Sequence, residues 1–138
     1  MTSRRSTVLL VDDVPDNIAI LASALATRYR VRAATTGAHA LAICRSADPP
    51  DLVLLDVIMP GMDGYEVCRQ LKESPSTDQI PVMFVTGNAS AEDEDRCVAV
   101  GGADCLAKPI RAPLLLRRVE TQLELVAARR RIAELTAG

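Results

Sequence analysis

Aromatic residues are nearly missing from this chain: Tyr29, Tyr65 and Phe84 are the only ones in 138 residues. Single-stranded nucleic acid is held by stacking bases on aromatic platforms, so that class of binder is disfavoured. An excess of one charge is missing too. Lys and Arg total 16 against 18 Asp and Glu, a formal net charge of -2, which gives no whole-chain field toward nucleic acid or an acidic membrane. The four cysteines, Cys44, Cys68, Cys97 and Cys105, form no CxxC pair, so a zinc knuckle or thioredoxin-type site is not indicated. They read as reduced, mostly buried thiols of a cytosolic protein. Long apolar runs are also lacking. The opening MTSRRST is followed by only four apolar residues before Asp12, too few for a signal-peptide core or a membrane span. A cytoplasmic protein with no membrane contact is therefore expected.

What is present is a hydrophobic fraction of 49%, enough for the core of one ordinary domain and too high for a disordered chain. Strand-like and helix-like segments alternate. TVLLV (7–11), DLVLLD (51–56) and IPVMFVT (80–86) read as strands covered on both faces. YRVRAA (29–34) is a weaker strand and DCLAK (104–108) a short last one. Residues 15–28 read as a helix, with Ile18, Leu21, Ala22 and Leu25 at helical spacing. A second helix over 36–47 turns Leu41 and Ile43 inward, a third over 63–73 has Asp63 as N-cap, and a fourth over 90–100 stops at Gly101 and Gly102. Five such repeats with short connections predict a doubly wound five-stranded parallel sheet.

In such sheets the working crevice lies at the carboxyl ends of the strands. Asp12 and Asp13 stand just past the first strand, Asp56 at the end of the third, Thr86 at the fourth and Lys108 at the fifth. Three carboxylates in one crevice repel one another, and a hard divalent cation relieves that conflict. Asp13 and Asp56 are the best direct ligands for Mg²⁺ or Mn²⁺, with Asp12 nearby or acting through water. A carboxylate is also a nucleophile toward phosphorus. The cation and Lys108 would then balance charge on the transferring oxygens. Lysine is scarce here, with Lys72 and Lys108 standing against fourteen arginines. A compact ammonium suits a small crevice better than a planar guanidinium. Taken singly, Asp12 and Asp13 could cap the next helix, Asp56 could be a loop carboxylate, Thr86 could satisfy a strand end and Lys108 could pair with an aspartate. Their joint arrival at four strand ends favours a reactive site.

The segments VLLVDD (8–13), LVLLDVIMPGMDGYEV (52–67), FVTGNA (84–89) and GADCLAKP (102–109) resemble the receiver domains of bacterial two-component response regulators. The likeness extends over about residues 6–125. It implies a flavodoxin-like (βα)5 fold and a phosphoacceptor switch rather than a turnover enzyme, with Asp56 phosphorylated from a sensor histidine kinase or phosphotransfer protein. Asp12 and Asp13 would be the acidic pair holding Mg²⁺, and Ile58 would offer its backbone carbonyl to the cation. Thr86 would be the switch hydroxyl, Gly87 would leave room for the donor, Lys108 would bind the phosphoryl group, and Lys108–Pro109 would be a cis peptide. Slow autodephosphorylation is implied as well. One position departs from the pattern: three residues before the lysine the family carries Tyr or Phe, and here stands Cys105.

Two other functional readings compete. An aspartyl-phosphate hydrolase would carry a second Asp two residues after the nucleophile, but that position is Ile58. A degenerate receiver used only for docking would not need the intact acidic pair, Asp56, Thr86 and Lys108. His39, the single histidine, lies on the second helix away from the strand ends and reads as a surface residue rather than a phosphoryl carrier. Arg129–Arg131, flanked by Glu124 and Glu134, read as a solvated helix face.

The end of the chain divides the domain, residues 1–125, from an extension, 126–138. Pro113 to Leu135 reads as one helix, about twice what covering a sheet requires. Leu116, Val119, Leu123 and Val126 make an inward stripe. Leu125, Ala128, Ile132 and Leu135 make a second stripe with nothing in the domain to bury it. A short coiled coil joining a homodimer, a connector to an output domain, or a frayed end would each explain it.

Overall fold

The structure, a computed structural model, describes residues 5–87 and 90–137. Among these, five strands alternate with five helices: β1 (Thr7–Val11), α1 (Pro15–Leu25), β2 (Arg30–Ala34), α2 (Gly37–Cys44), β3 (Leu52–Asp56), α3 (Gly64–Glu73), β4 (Val82–Thr86), α4 (Ala91–Ala99), β5 (Asp104–Ala107) and α5 (Ala112–Ala137). All strand pairs are parallel, in the order β2-β1-β3-β4-β5. The doubly wound sheet is therefore as expected.

The central strands β1, β3 and β4 are apolar apart from Thr7, Asp56 and Thr86 at their ends, because each is covered twice. Val8, Leu10, Leu52, Leu54 and Met83 face one side, where Leu25 of α1 and Leu115 and Val119 of α5 close over them. Leu9, Val11, Val53, Leu55, Val82 and Phe84 face the other, against α2, α3 and α4. The period of two along each strand thus assigns residues to two separate cores.

Boundaries differ from the sequence expectation where local chemistry intervenes. Helix α1 stops at Leu25 rather than Arg28, because the chain must turn to set Arg30 beside β1, where its N–H reaches the Ser6 carbonyl at 2.9 Å. Helix α2 ends at Cys44 rather than Ala47. Strand β4 starts at Val82, since Pro81 has no N–H to give the ladder. Asp63 caps α3 as expected, accepting from the Glu66 N–H at 2.9 Å.

Helix α5 spans 26 residues, about 39 Å. Its inward face centres on Leu115 and Val119, 1% and 0% exposed, while Leu116 and Leu123 are only partly covered. The expected stripe was therefore one position off at its start. Past the sheet the helix is not free on every side. Val126 is buried, and Arg130 pairs with Asp51 at 3.0 Å, below the amino-terminal end of β3. The opposite face carries Leu125, Ile132 and Leu135 at 43%, 61% and 78% exposure, so the second stripe is uncovered. Arg129–Arg131 are exposed, as the solvated-face reading requires, and so is His39.

Candidate functional site

The chain runs from β1 outward to β2, then crosses back to place β3 on the other side of β1. Neighbouring strand ends diverge at such a switch point and leave a crevice. Val11 pairs with Leu55, so Asp12 and Asp56 emerge together there. Asp12 is 4% exposed and Asp56 7%. With the more accessible Asp13, they offer carboxylate oxygens lying within 4.8 Å of one another. Lys108 Nζ, from the end of β5, sits 3.5 Å from Asp12 Oδ2 and 3.6 Å from Asp56 Oδ1.

Capping does not account for the acidic pair. The N-cap of α1 is Val14 and has no side-chain cap; Asp12 instead accepts the Val14 N–H at 2.9 Å. Burial pushes the Asp56 carboxyl above its ordinary range, and the Asp12 charge adds to this. Lys108 and the backbone N–H of Ile58 pull the other way, and Asp13 adds a small upward push. A carboxylate that is costly to ionise beside two others is a site whose conflict a cation would relieve. The donors are all oxygen, which fits Mg²⁺ or Mn²⁺ and not a soft metal. The Ile58 side chain is 74% exposed, so any part in cation binding falls to its backbone.

The loop after β3 is pressed tightly under the site. A Cβ on Gly64 would lie 2.3 Å from the Asp56 carbonyl oxygen, so only glycine fits. Gly61 turns this loop with φ +75. Those two positions give the PGMDG stretch its physical meaning.

Thr86 ends β4 and is buried, and its carbonyl accepts the Lys108 N–H at 2.8 Å. Gly87 is exposed, and among the described residues a Cβ there would meet nothing within 4 Å. Asp12, Gly87 and Lys108 share a cavity of about 450 Å³ with Ile20 and Pro109. Lys108–Pro109 is cis, as expected. Asn88 and Ala89 of the fourth-strand motif lie outside the described residues.

Four strand ends thus bring Asp12, Asp13, Asp56, Thr86 and Lys108 to one edge. Cys105 stands apart, half-buried on β5 beside Phe84 of β4. All four cysteines are free, and Cys44, Cys68 and Cys97 are buried. Sequence reasoning missed three contacts behind the site. The Tyr65 and Phe84 rings meet at 5.3 Å with the Arg96 guanidinium 4.4 Å over Tyr65, and Cys97 Sγ lies 3.4 Å from Cys105 Sγ. No spacing rule links these residues, because they come from α3, β4, α4 and β5.

A pH-dependent stability effect follows from Asp56. Its folded pKa is raised, so the native state holds this proton more tightly than the unfolded chain. Stability from this group is then greatest at acid pH and falls as pH rises through the folded pKa. With a chelator present, Asp56→Asn is expected to melt above the wild type at pH 7, and the gap should close as pH falls through the folded pKa toward the ordinary carboxylate range. A variant melting below the wild type at neutral pH would contradict the repulsive crevice.

Comparison with known proteins agrees with this geometry. The family model described as "Response regulator receiver domain" matches residues 8–120. A Vibrio cholerae protein named "Probable cyclic di-GMP phosphodiesterase" is 49% identical over 118 residues, covering 86% of this chain and 26% of that protein. Response regulator PleD of Caulobacter vibrioides is 43% identical over 115 residues, 83% of this chain and 25% of PleD. Among solved structures, chemotaxis protein CheY4 of Vibrio cholerae superposes with a TM-score of 0.79 at 29% identity, over 85% of this chain and 98% of that one. This chain belongs to the response regulator receiver domain family, a family of phosphoacceptor signalling domains that work with histidine kinases or phosphotransfer proteins. It spans about a quarter of the length of the first two relatives. Among the described residues no helix is long and apolar enough to cross a membrane.

Proposed function

We propose that Asp56 is the phosphoacceptor and that Asp12, Asp13 and the Ile58 carbonyl complete a Mg²⁺ or Mn²⁺ site with it. The observation that carries this reading is the cluster of three carboxylates within 4.8 Å of one another, beside the Lys108 ammonium. When bound, the cation would screen the carboxylates and the phosphoryl oxygens from one another. An Asp56 oxygen forms the new bond to phosphorus while the bond to the donor's leaving group breaks. Lys108 is within reach of the charge left on the phosphoryl oxygens. Thr86 then donates its hydroxyl to one of them, and the open space at Gly87 admits the donor. Nothing at Ile58 can act as a second acid or base, which favours a long-lived acyl phosphate over turnover. Intact mass after acetyl phosphate and Mg²⁺ should rise by one phosphoryl group in the wild type and not in Asp56→Asn. Full labelling of that variant would sink the assignment.

The extension 126–138, of which Gly138 lies outside the described residues, is proposed to pair with the same helix of a second copy and to lead to an output domain of a longer protein. The uncovered Leu125, Ile132 and Leu135 support the pairing, and the greater length of the relatives supports the output domain. Two short stripes bury little area, so the dimer should be weak. Sedimentation should detect self-association of the full chain, and less of a chain ending at Leu123, with and without a beryllofluoride mimic. Monomers throughout would leave the stripe without this role. A cytoplasmic setting is proposed with this scheme.

A further inference from the structure

Cys97 on α4 and Cys105 on β5 approach across the connection between those elements, sulfur to sulfur 3.4 Å. Both thiols are free. We propose that this pair is an oxidation site, in which a peroxide converts the two thiols to an intramolecular disulfide that ties α4 to β5.

Local structure holds the pair in place. The turn between them is closed by the Gly102 N–H to the Cys97 carbonyl at 2.8 Å and the Gly101 N–H to the Val98 carbonyl at 3.0 Å. A disulfide bond is about 2.05 Å long, so the sulfurs must close by little more than about 1 Å. The pairing is selective. Cys68 Sγ is directed to the Val100 carbonyl at 3.4 Å and is fully buried, while Cys44 lies on α2. A cavity of about 320 Å³ lined by Cys97, Cys105, Val98 and Arg118 opens onto the pair from solvent. Cys105 is half-buried and Cys97 is 2% exposed, so peroxide meets Cys105 first.

The chemistry balances. Cys105 sulfur attacks one peroxide oxygen, the O–O bond breaks, and the departing oxygen leaves as water with the thiol proton. Cys97 sulfur then attacks the Cys105 sulfenic acid, the S–O bond breaks, and a second water leaves. Two thiols lose two electrons and two protons, and the peroxide becomes two waters. Burial, the Cys97 thiol and the nearby Glu94 and Asp104 push the Cys105 thiol up to about 12. Arg118 of α5 is bound to Asp104 at 2.8 Å, and Tyr65, with the Arg96 guanidinium over its ring, is close to Cys97. Little thiolate exists at neutral pH, so the site reacts slowly and answers sustained oxidant rather than a brief pulse.

The test is independent of the Asp56 assignment. Folded protein is treated with hydrogen peroxide, quenched, unfolded and alkylated without reductant, then digested with trypsin. Cleavage after Arg96 and Arg111 places both cysteines in one peptide, 97–111. That peptide should lose both alkylation sites and the mass of two hydrogens, and recover both with dithiothreitol, while Cys44 and Cys68 stay alkylated. In Cys97→Ser, Cys105 should instead carry added oxygen with no bond. A peptide that keeps both alkylations, a link to Cys68, or a dimer joined between chains would each overturn the proposal. Because the wild type alone decides the outcome, a variant that misfolds does not rescue or sink it.

Discussion

Asp13→Ala is expected to lose Mg²⁺ affinity and phosphorylation together while the fold persists. Asp13 is the most accessible of the three carboxylates, so its truncation leaves no cavity in either core. It does remove one of three carboxylates, and with it one negative charge, from a crevice whose remaining acids, Asp12 and Asp56, are buried. Losing a direct ligand should cost at least what losing a supporting residue does, so affinity should drop on the order of a hundredfold. Phosphorylation by a small donor should fall with it, since in the proposed site the cation and Lys108 would share the neutralising role. Titration of Mg²⁺ by fluorescence or calorimetry, beside a melting curve, separates site from fold. Unchanged affinity would remove Asp13 from the metal set.

Phe84→Ala should be the most damaging single change in the core, costing about 3–5 kcal/mol. A domain of this kind holds only about 5–15 kcal/mol in total. Phe84 is 0% exposed on β4, meets the Tyr65 ring at 5.3 Å between centroids with the planes tilted by 46°, and lies against Gly102, where even a Cβ would be 2.7 Å from its ring. A cavity there is enclosed by β4, α3 and the α4–β5 turn and cannot collapse without moving the strand that ends in Thr86. The urea midpoint should fall sharply with the slope unchanged. A loss below about 1 kcal/mol would show that the core relaxes freely around this ring.

The sequence made the sheet legible because both of its faces are covered: continuous apolar runs at β1, β3 and β4 admit few other readings. The site was legible for a related reason, since topology alone carries strand ends to one edge and Asp12, Asp56, Thr86 and Lys108 sit at four of them. Helix ends were less clear. Arg28 and Ala47 fit a helix by propensity, but the turn into the next strand ended each helix earlier. The covered face of α5 began one residue before the expected stripe, as Leu115 and Leu116 are equally apolar and only packing chooses between them. The Cys97–Cys105 and Tyr65–Phe84 contacts were invisible, because they join elements whose spacing the sequence does not encode.

The central claim, that Asp56 is the residue phosphorylated, is tested most directly by trapping the acyl phosphate. Borohydride reduces an aspartyl phosphate to homoserine at the position where it formed. After acetyl phosphate and Mg²⁺, peptide mass mapping should place homoserine at residue 56 and leave Asp12 and Asp13 unchanged. Homoserine at residue 12 or 13, or phosphate retained on His39 with residue 56 untouched, would contradict the account.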